Sequence, residues 1–189
     1  MNGYDFDKTI YNGNCFVDFY FYCLIRRPYL ALLWPCQLII SLLYLVRIIN
    51  RKLFKQTFHH YLLFVFGKEK LIAKFWQKHI KKIKPWYLQQ KRENDVIVSA
   101  SPEFFLRPAC NMLGVKNLIA TDMNLHTGVI KGENCYKYSK VNRFKQVFGE
   151  TAKLEGFYSD SKSDIPMMML ADKKYFVYGN MIEEYQIQG

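Results

Sequence analysis

The pattern of apolar and polar positions changes character twice along the chain. A short apolar run over Asn2–Phe6 predicts a first strand that leads directly into two aspartates, Asp5 and Asp7. From Phe16 to about Trp86 the chain shows long apolar and basic runs with few turn residues, which predicts helices. Within it Leu71, Ile72, Phe75, Trp76, Ile80 and Ile83 recur at helical spacing. Lys70, Lys74, Lys78, Lys81 and Lys82 fill the positions between, so this helix is amphipathic and basic. Beyond Pro85 the spacing is that of an α/β protein. Strands are predicted at Asp95–Ser99, Leu118–Asp122, Leu154–Tyr158 and Tyr175–Tyr178, with helices starting at Pro102–Glu103 and covering Ser139–Phe148. A hairpin is expected through Gly128 and Gly132. Strands alternating with helices on this scale predict an α/β fold with a mainly parallel sheet covered on both faces.

Within the helical stretch, Tyr29–Val46 is a run of 18 residues without a formal charge, interrupted by Pro35, Gln37 and Ser41. That length sits at the lower edge of what spans a bilayer, about 18 to 20 residues. Charge sharpens the contrast. Residues 16–90 hold 13 Lys and Arg against only Asp18 and Glu69, so the whole formal charge of +11 lies there and the rest of the chain nets zero. Such asymmetry points to an anionic partner. Apolar density in the same stretch is too high for a solvated nucleic-acid face, and nucleic acid is not expected.

With 189 residues, half of them hydrophobic, the chain can fold one α/β domain with an insertion but not two large domains. Five cysteines, none in a C-x-x-C pair, suggest reduced and mostly buried thiols. The opening Met1–Asp5 lacks the basic start and apolar core of a signal peptide, so a cytoplasmic location is expected.

Four short motifs carry the chemistry. Asp5-Phe6-Asp7-Lys8-Thr9 has the form D-x-D-x-T, and on an extended backbone that spacing directs both carboxylates to one side. One can then attack while the other moves protons. Ser99 ends the run Val96-Ile97-Val98, Lys140 lies in Tyr138-Ser139-Lys140-Val141, and Asp160-Ser161-Lys162-Ser163-Asp164 follows a strand. Alone, each is weak: Ser99 could be an ordinary strand-end hydroxyl, and Lys140 a solvated helix residue in competition with Lys137. His59-His60 is too closely spaced for joint metal binding and is read as packing or surface.

In this order and context the four motifs resemble those of the haloacid dehalogenase superfamily, in its phosphoserine-phosphatase-like branch. The resemblance implies a Rossmann-like core over residues 1–15 and 92–189, with an all-helical cap over 16–91. It implies a magnesium-dependent phosphatase acting on a phosphorylated substrate. Asp5 is then the nucleophile, Asp7 the acid and base, and Ser99 with the Ala100 amide the holders of the phosphoryl oxygens. Lys140 pairs with Asp5 and the phosphate, and Mg²⁺ is held by Asp5, the Asp7 carbonyl and Asp160, with Asp164 as ligand or orienting partner.

The resemblance weakens for phosphoserine itself. Asn14 stands where that branch carries a glutamate for the substrate ammonium, and Ser101 and Ser159 stand where glycine is common. For Tyr29–Val46 two accounts remain open. It is either a buried cap helix or hairpin bent at Pro35, or a cap surface that meets an anionic membrane in a peripheral or monotopic way. In the second case a lipid phosphate such as phosphatidylglycerol phosphate is the natural substrate. In the first the substrate is a soluble phosphate ester, and a phosphotransferase activity is a further alternative.

Overall fold

A computed structural model describes residues 1–186. Six strands form one sheet: β1 (Gly3–Tyr4), β2 (Val96–Pro102), β3 (Asn117–Thr121), β4 (Leu154–Ser159), β5 (Ala171–Tyr178) and β6 (Met181–Glu184). Their order is β3-β2-β1-β4-β5-β6, with every pairing parallel except β5 with β6. The two-residue β1 sits at the centre, Gly3 opposite both Val96 and Phe157. A side chain at Gly3 would meet the Phe157 ring at 2.7 Å, so the central strand requires glycine there. The expected α/β sheet is present.

Alternation along the strands sends side chains to two cores. Val96, Val98 and Phe157 join Phe144, Met167 and Phe176 on one face. Ile97 and Tyr158 join Tyr4, Phe105 and the helical insertion on the other. Helices α6 (Glu103–Leu113), α7 (Tyr138–Phe148) and α8 (Ile165–Met168) cover the sheet.

The insertion between β1 and β2 contains α1 (Cys15–Arg26), α2 (Trp34–Leu45), α3 (Arg51–Phe58), α4 (Lys68–His79) and α5 (Pro85–Gln90). Its inner half shares the core of the sheet. Trp76 donates its indole N–H to the Phe105 carbonyl at 2.6 Å and meets the Phe6 ring edge-on at 5.8 Å. Tyr87 packs edge-on against Tyr4 at 4.9 Å. The periodic residues Leu71, Ile72, Phe75 and Trp76 are the buried side of α4.

The outer half differs from the buried account of Tyr29–Val46. Pro35 does not bend a helix; it lies in the first turn of α2, where its missing N–H has no partner to lose. A 3₁₀ turn over Pro28–Leu33 precedes it. Over Pro28–Leu45, with mean hydropathy 1.6, only 11% of the window is buried. Leu32 is 82% exposed and Leu45 73%.

Two further departures from the sequence reading concern the edges. The last expected strand begins earlier, at Ala171, and is followed by the unexpected β6 across a Gly179-Asn180 turn. Every residue of β6 is exposed, so it leaves no burial alternation to read. The expected hairpin is a single bridge, Met123 to Ile130, around a turn at Gly128, and Gly132 lies beyond it. Gly128 has φ +72 and its Cα approaches the His59 carbonyl so closely that a side chain would collide with it.

Candidate active site

Asp5 follows the central strand directly, its amide still bonded to the Tyr158 carbonyl at 2.9 Å. The chain then curls: Ile10 and Tyr11 both return N–H bonds to the Phe6 carbonyl, and Lys8 adopts a positive φ of 59. This turn stands at the carboxyl ends of the parallel strands, where open α/β sheets hold their ligands. A cleft of about 660 Å³ opens over it, lined at its floor by Asp5, Asp7, Ser99, Lys140, Asp160 and Asp164.

Lys140 is the centre of the floor. Its Nζ lies 2.7 Å from Asp5 Oδ1 and 2.8 Å from Asp164 Oδ2, and the side chain is fully enclosed. Burial alone would lower the pKa of this ammonium, but Asp5 and Asp164 together raise it above the ordinary lysine value. Asp5 responds to the same enclosure. Burial pushes its carboxyl up to about 7, against the pull of Lys140. Lys137, the rival in sequence, instead starts α7 with a positive φ and points its amine toward the Tyr136 ring.

Hydroxyl groups organise the remaining acids. Thr9 Oγ1 reaches Asp5 Oδ2 at 3.3 Å and accepts the Asp160 amide at 3.0 Å. Ser159 donates to Asp164 at 2.7 Å. Ser101 donates to Asp7 at 2.6 Å, while the Cys15 amide bonds the other Asp7 oxygen at 2.7 Å. Asp5 and Asp7 thus line one cleft through different partners. Ser99, buried at the end of the β2 core run, accepts the Ser101 amide at 3.1 Å, and Ala100 follows it on the cleft wall.

Several of these residues carry no sequence signal of their own. Thr121 Oγ1 lies 2.8 Å from the Ala100 carbonyl and 2.9 Å from Asn134 Oδ1. Lys55, on α3, reaches the same two acceptors from above. In sequence Lys55 is one base in a basic run; only its i, i+4 spacing from Arg51 could have marked it. His59 packs edge-on to Phe16 at 4.5 Å, and burial holds its pKa well below the usual value. It is a core residue.

The floor suits a hard divalent cation. Asp5, Asp7, Asp160 and Asp164 gather there, Lys140 pairs with only Asp5 and Asp164, and Asp164 Oδ1 is buried without a hydrogen-bond partner. Burial raises the Asp160 carboxyl as well. Among the described residues no three His, Cys, Asp or Glu side chains converge as a ready cage. Magnesium does not need one, since it keeps several waters and takes one or two carboxylates.

Known proteins share parts of this sequence and its fold. The chain is 36% identical to Protein CicA of Caulobacter vibrioides over 84 residues, 42% of this chain and 38% of that one. It is 31% identical over 96 residues to a histidinol-phosphatase of Neisseria meningitidis serogroup C, 45% of this chain and 43% of the relative. Each match spans less than half the length of either protein. In structure, a Bordetella pertussis Tohama I protein of unknown function superposes with a TM-score of 0.75 at 20% identity, covering 92% of this chain and 87% of that one. A phosphoserine phosphohydrolase-like protein from Francisella tularensis gives 0.57 at 18% identity, covering 92% and 84%. Both share the fold. The model of the haloacid dehalogenase-like hydrolases matches residues 3–169, and the chain belongs to that family.

Proposed function

We propose that the protein is a magnesium-dependent phosphomonoester hydrolase working through an aspartyl-phosphate on Asp5. The observation that carries this reading is the enclosed Lys140 ammonium held 2.7 Å from Asp5, at the floor of a cleft that also holds Asp7 and Ser99. A carboxylate attacking a phosphate dianion must overcome charge repulsion, so phosphoryl transfer depends on positioning and neutralisation. Asp5 attacks phosphorus while Asp7, steadied by Ser101 and the Cys15 amide, gives its proton to the leaving oxygen. Asp7 then takes a proton from the water that hydrolyses the acyl phosphate. Ser99 and the Ala100 amide hold the phosphoryl oxygens, and Lys140 balances their charge. Asp5, the Asp7 carbonyl, Asp160 and Asp164 would hold Mg²⁺, which when bound supplies further neutralisation of the phosphoryl charge.

The substrate in this reading is a phosphate ester of a membrane lipid, such as phosphatidylglycerol phosphate. Support comes from the exposed apolar face of α2, flanked by Arg26 and Arg27 before it and Arg47, Arg51 and Lys52 after it. Apolar side chains beside basic ones favour an anionic bilayer surface. The histidinol-phosphatase relative favours a second reading, a soluble ester.

Phosphate release from phosphatidylglycerol phosphate, phosphatidic acid, phosphoserine and histidinol phosphate, with Mg²⁺ or EDTA, separates them. Lipid preference abolished by EDTA and by Asp5→Asn supports the first reading. Turnover of soluble esters alone keeps the mechanism and removes the membrane. No magnesium-dependent release from any of them sinks the hydrolase assignment.

A further inference from the structure

The floor of the cleft holds the four acids that line it; beyond Lys140, the charged residues among its other lining groups are the bases Lys8, Arg51 and Lys55, set among aromatic side chains. Arg51 and Lys55 lie one helical turn apart on α3 and line the cleft wall with Tyr136. Neither forms an ion pair with a carboxylate among the described residues. Both are held in place. The Arg51 guanidinium stacks 3.9 Å over the Tyr136 ring, and Lys55 bonds the Ala100 carbonyl and, at 3.1 Å, Asn134. The neighbouring Lys52 anchors α3 to the Gly132 carbonyl at 2.6 Å.

On the facing side Asn14 also lines the cleft, but it is neutral and occupied. Its side-chain oxygen caps α1 by accepting the Val17 amide at 3.0 Å. Among the described residues, no acid therefore awaits a substrate cation beyond the floor.

We propose that Arg51 and Lys55 select a leaving group that carries a second anionic group, a phosphodiester or carboxylate next to the ester, and disfavour one bearing an ammonium. This rests on the phosphatase reading. It is independent of whether the ester belongs to a lipid.

Three water-soluble esters isolate the charge: 3-phosphoglycerate, glycerol 1-phosphate and phosphoethanolamine, whose leaving groups are anionic, neutral and cationic. The full chain with Mg²⁺ should turn them over with kcat/KM falling in that order. The span from first to last should be about tenfold or more, the size of effect that a single hydrogen bond to a charged group produces. Arg51→Glu should compress or invert the ratio; its side chain is exposed, so folding is not at risk. Calorimetric Kd values for the same esters on the Asp5→Asn protein read the order without turnover. If no ester is hydrolysed but binding keeps this order, the phosphatase reading fails and the charge selection stands. Equal or tighter binding of phosphoethanolamine, or a ratio unmoved by Arg51→Glu, overturns the selection whatever the activity.

Discussion

The ammonium of Lys140 lies 2.7 Å from Asp5, although 135 residues separate the two in sequence. The same nitrogen bonds Asp164 at 2.8 Å, so one lysine joins the central strand, α7 and the loop after β4. Removing it strands two buried carboxylates. Lys140→Met should cost about 3–5 kcal/mol of stability, as when one partner of a buried ion pair is deleted. Urea denaturation measures that loss, and a change below about 1 kcal/mol would show that the cluster is not held by this charge.

Asp5→Asn keeps the shape of the side chain and removes the nucleophile. Wild-type protein quenched during turnover should carry a phosphoryl group on the peptide containing Asp5, detectable by mass, and the variant should carry none. Its kcat should fall at least about a thousandfold, as expected when a covalent nucleophile is lost. An adduct on another residue would move the nucleophile away from Asp5.

The exposed face of α2 can be changed without disturbing the core. Leu38, Leu42 and Leu45 all point outward, so replacing the three with glutamate should shift stability by no more than about 0.5 kcal/mol per site. Flotation with anionic liposomes should be lost in the triple variant and present in the wild type. Wild-type protein that stays at the bottom of the gradient with such vesicles would disprove the membrane contact.

Lys55 sets a pH dependence of known sign. Burial pushes its pKa from 10.5 down to about 8, so the folded chain binds fewer protons there than the unfolded chain between those values. The burial cost is then fully present below about 8 and is relieved as pH rises toward 10.5. Lys55→Met should therefore gain on the wild type near neutral pH, and the gain should shrink by about pH 9.5. Urea melts at the two pH values check this; a pH-independent difference would mean that Lys55 is as well solvated folded as unfolded.

Much of the fold was legible in the order of elements. The apolar runs at Val96–Ser99 and Leu154–Tyr158 are strands, the Leu71–Trp76 spacing is a helix, and the D-x-D-x-T segment leaves the first strand as expected. Local periodicity carries that information because side-chain direction follows backbone repeat. Strand β6 escaped because no face of it is buried, so burial left no pattern to read.

For the candidate site, the four motifs that resemble the haloacid dehalogenase pattern pointed to Asp5, Asp7, Ser99, Lys140, Asp160 and Asp164, and these six line one cleft. Spacing alone did not separate Lys137 from Lys140, since residues three apart share a helix face; the positive φ of Lys137, ahead of the first turn of α7, takes it out of the helical repeat that carries Lys140 into the site. Nor could spacing find Thr121, Asn134, Arg51 or Lys55, whose partners lie between 13 and 85 residues away. The fate of Tyr29–Val46 was likewise decided only in three dimensions. An apolar helix is buried or exposed according to what packs against it, and here the sheet face is already filled by α4 and α6, leaving α2 outside the core.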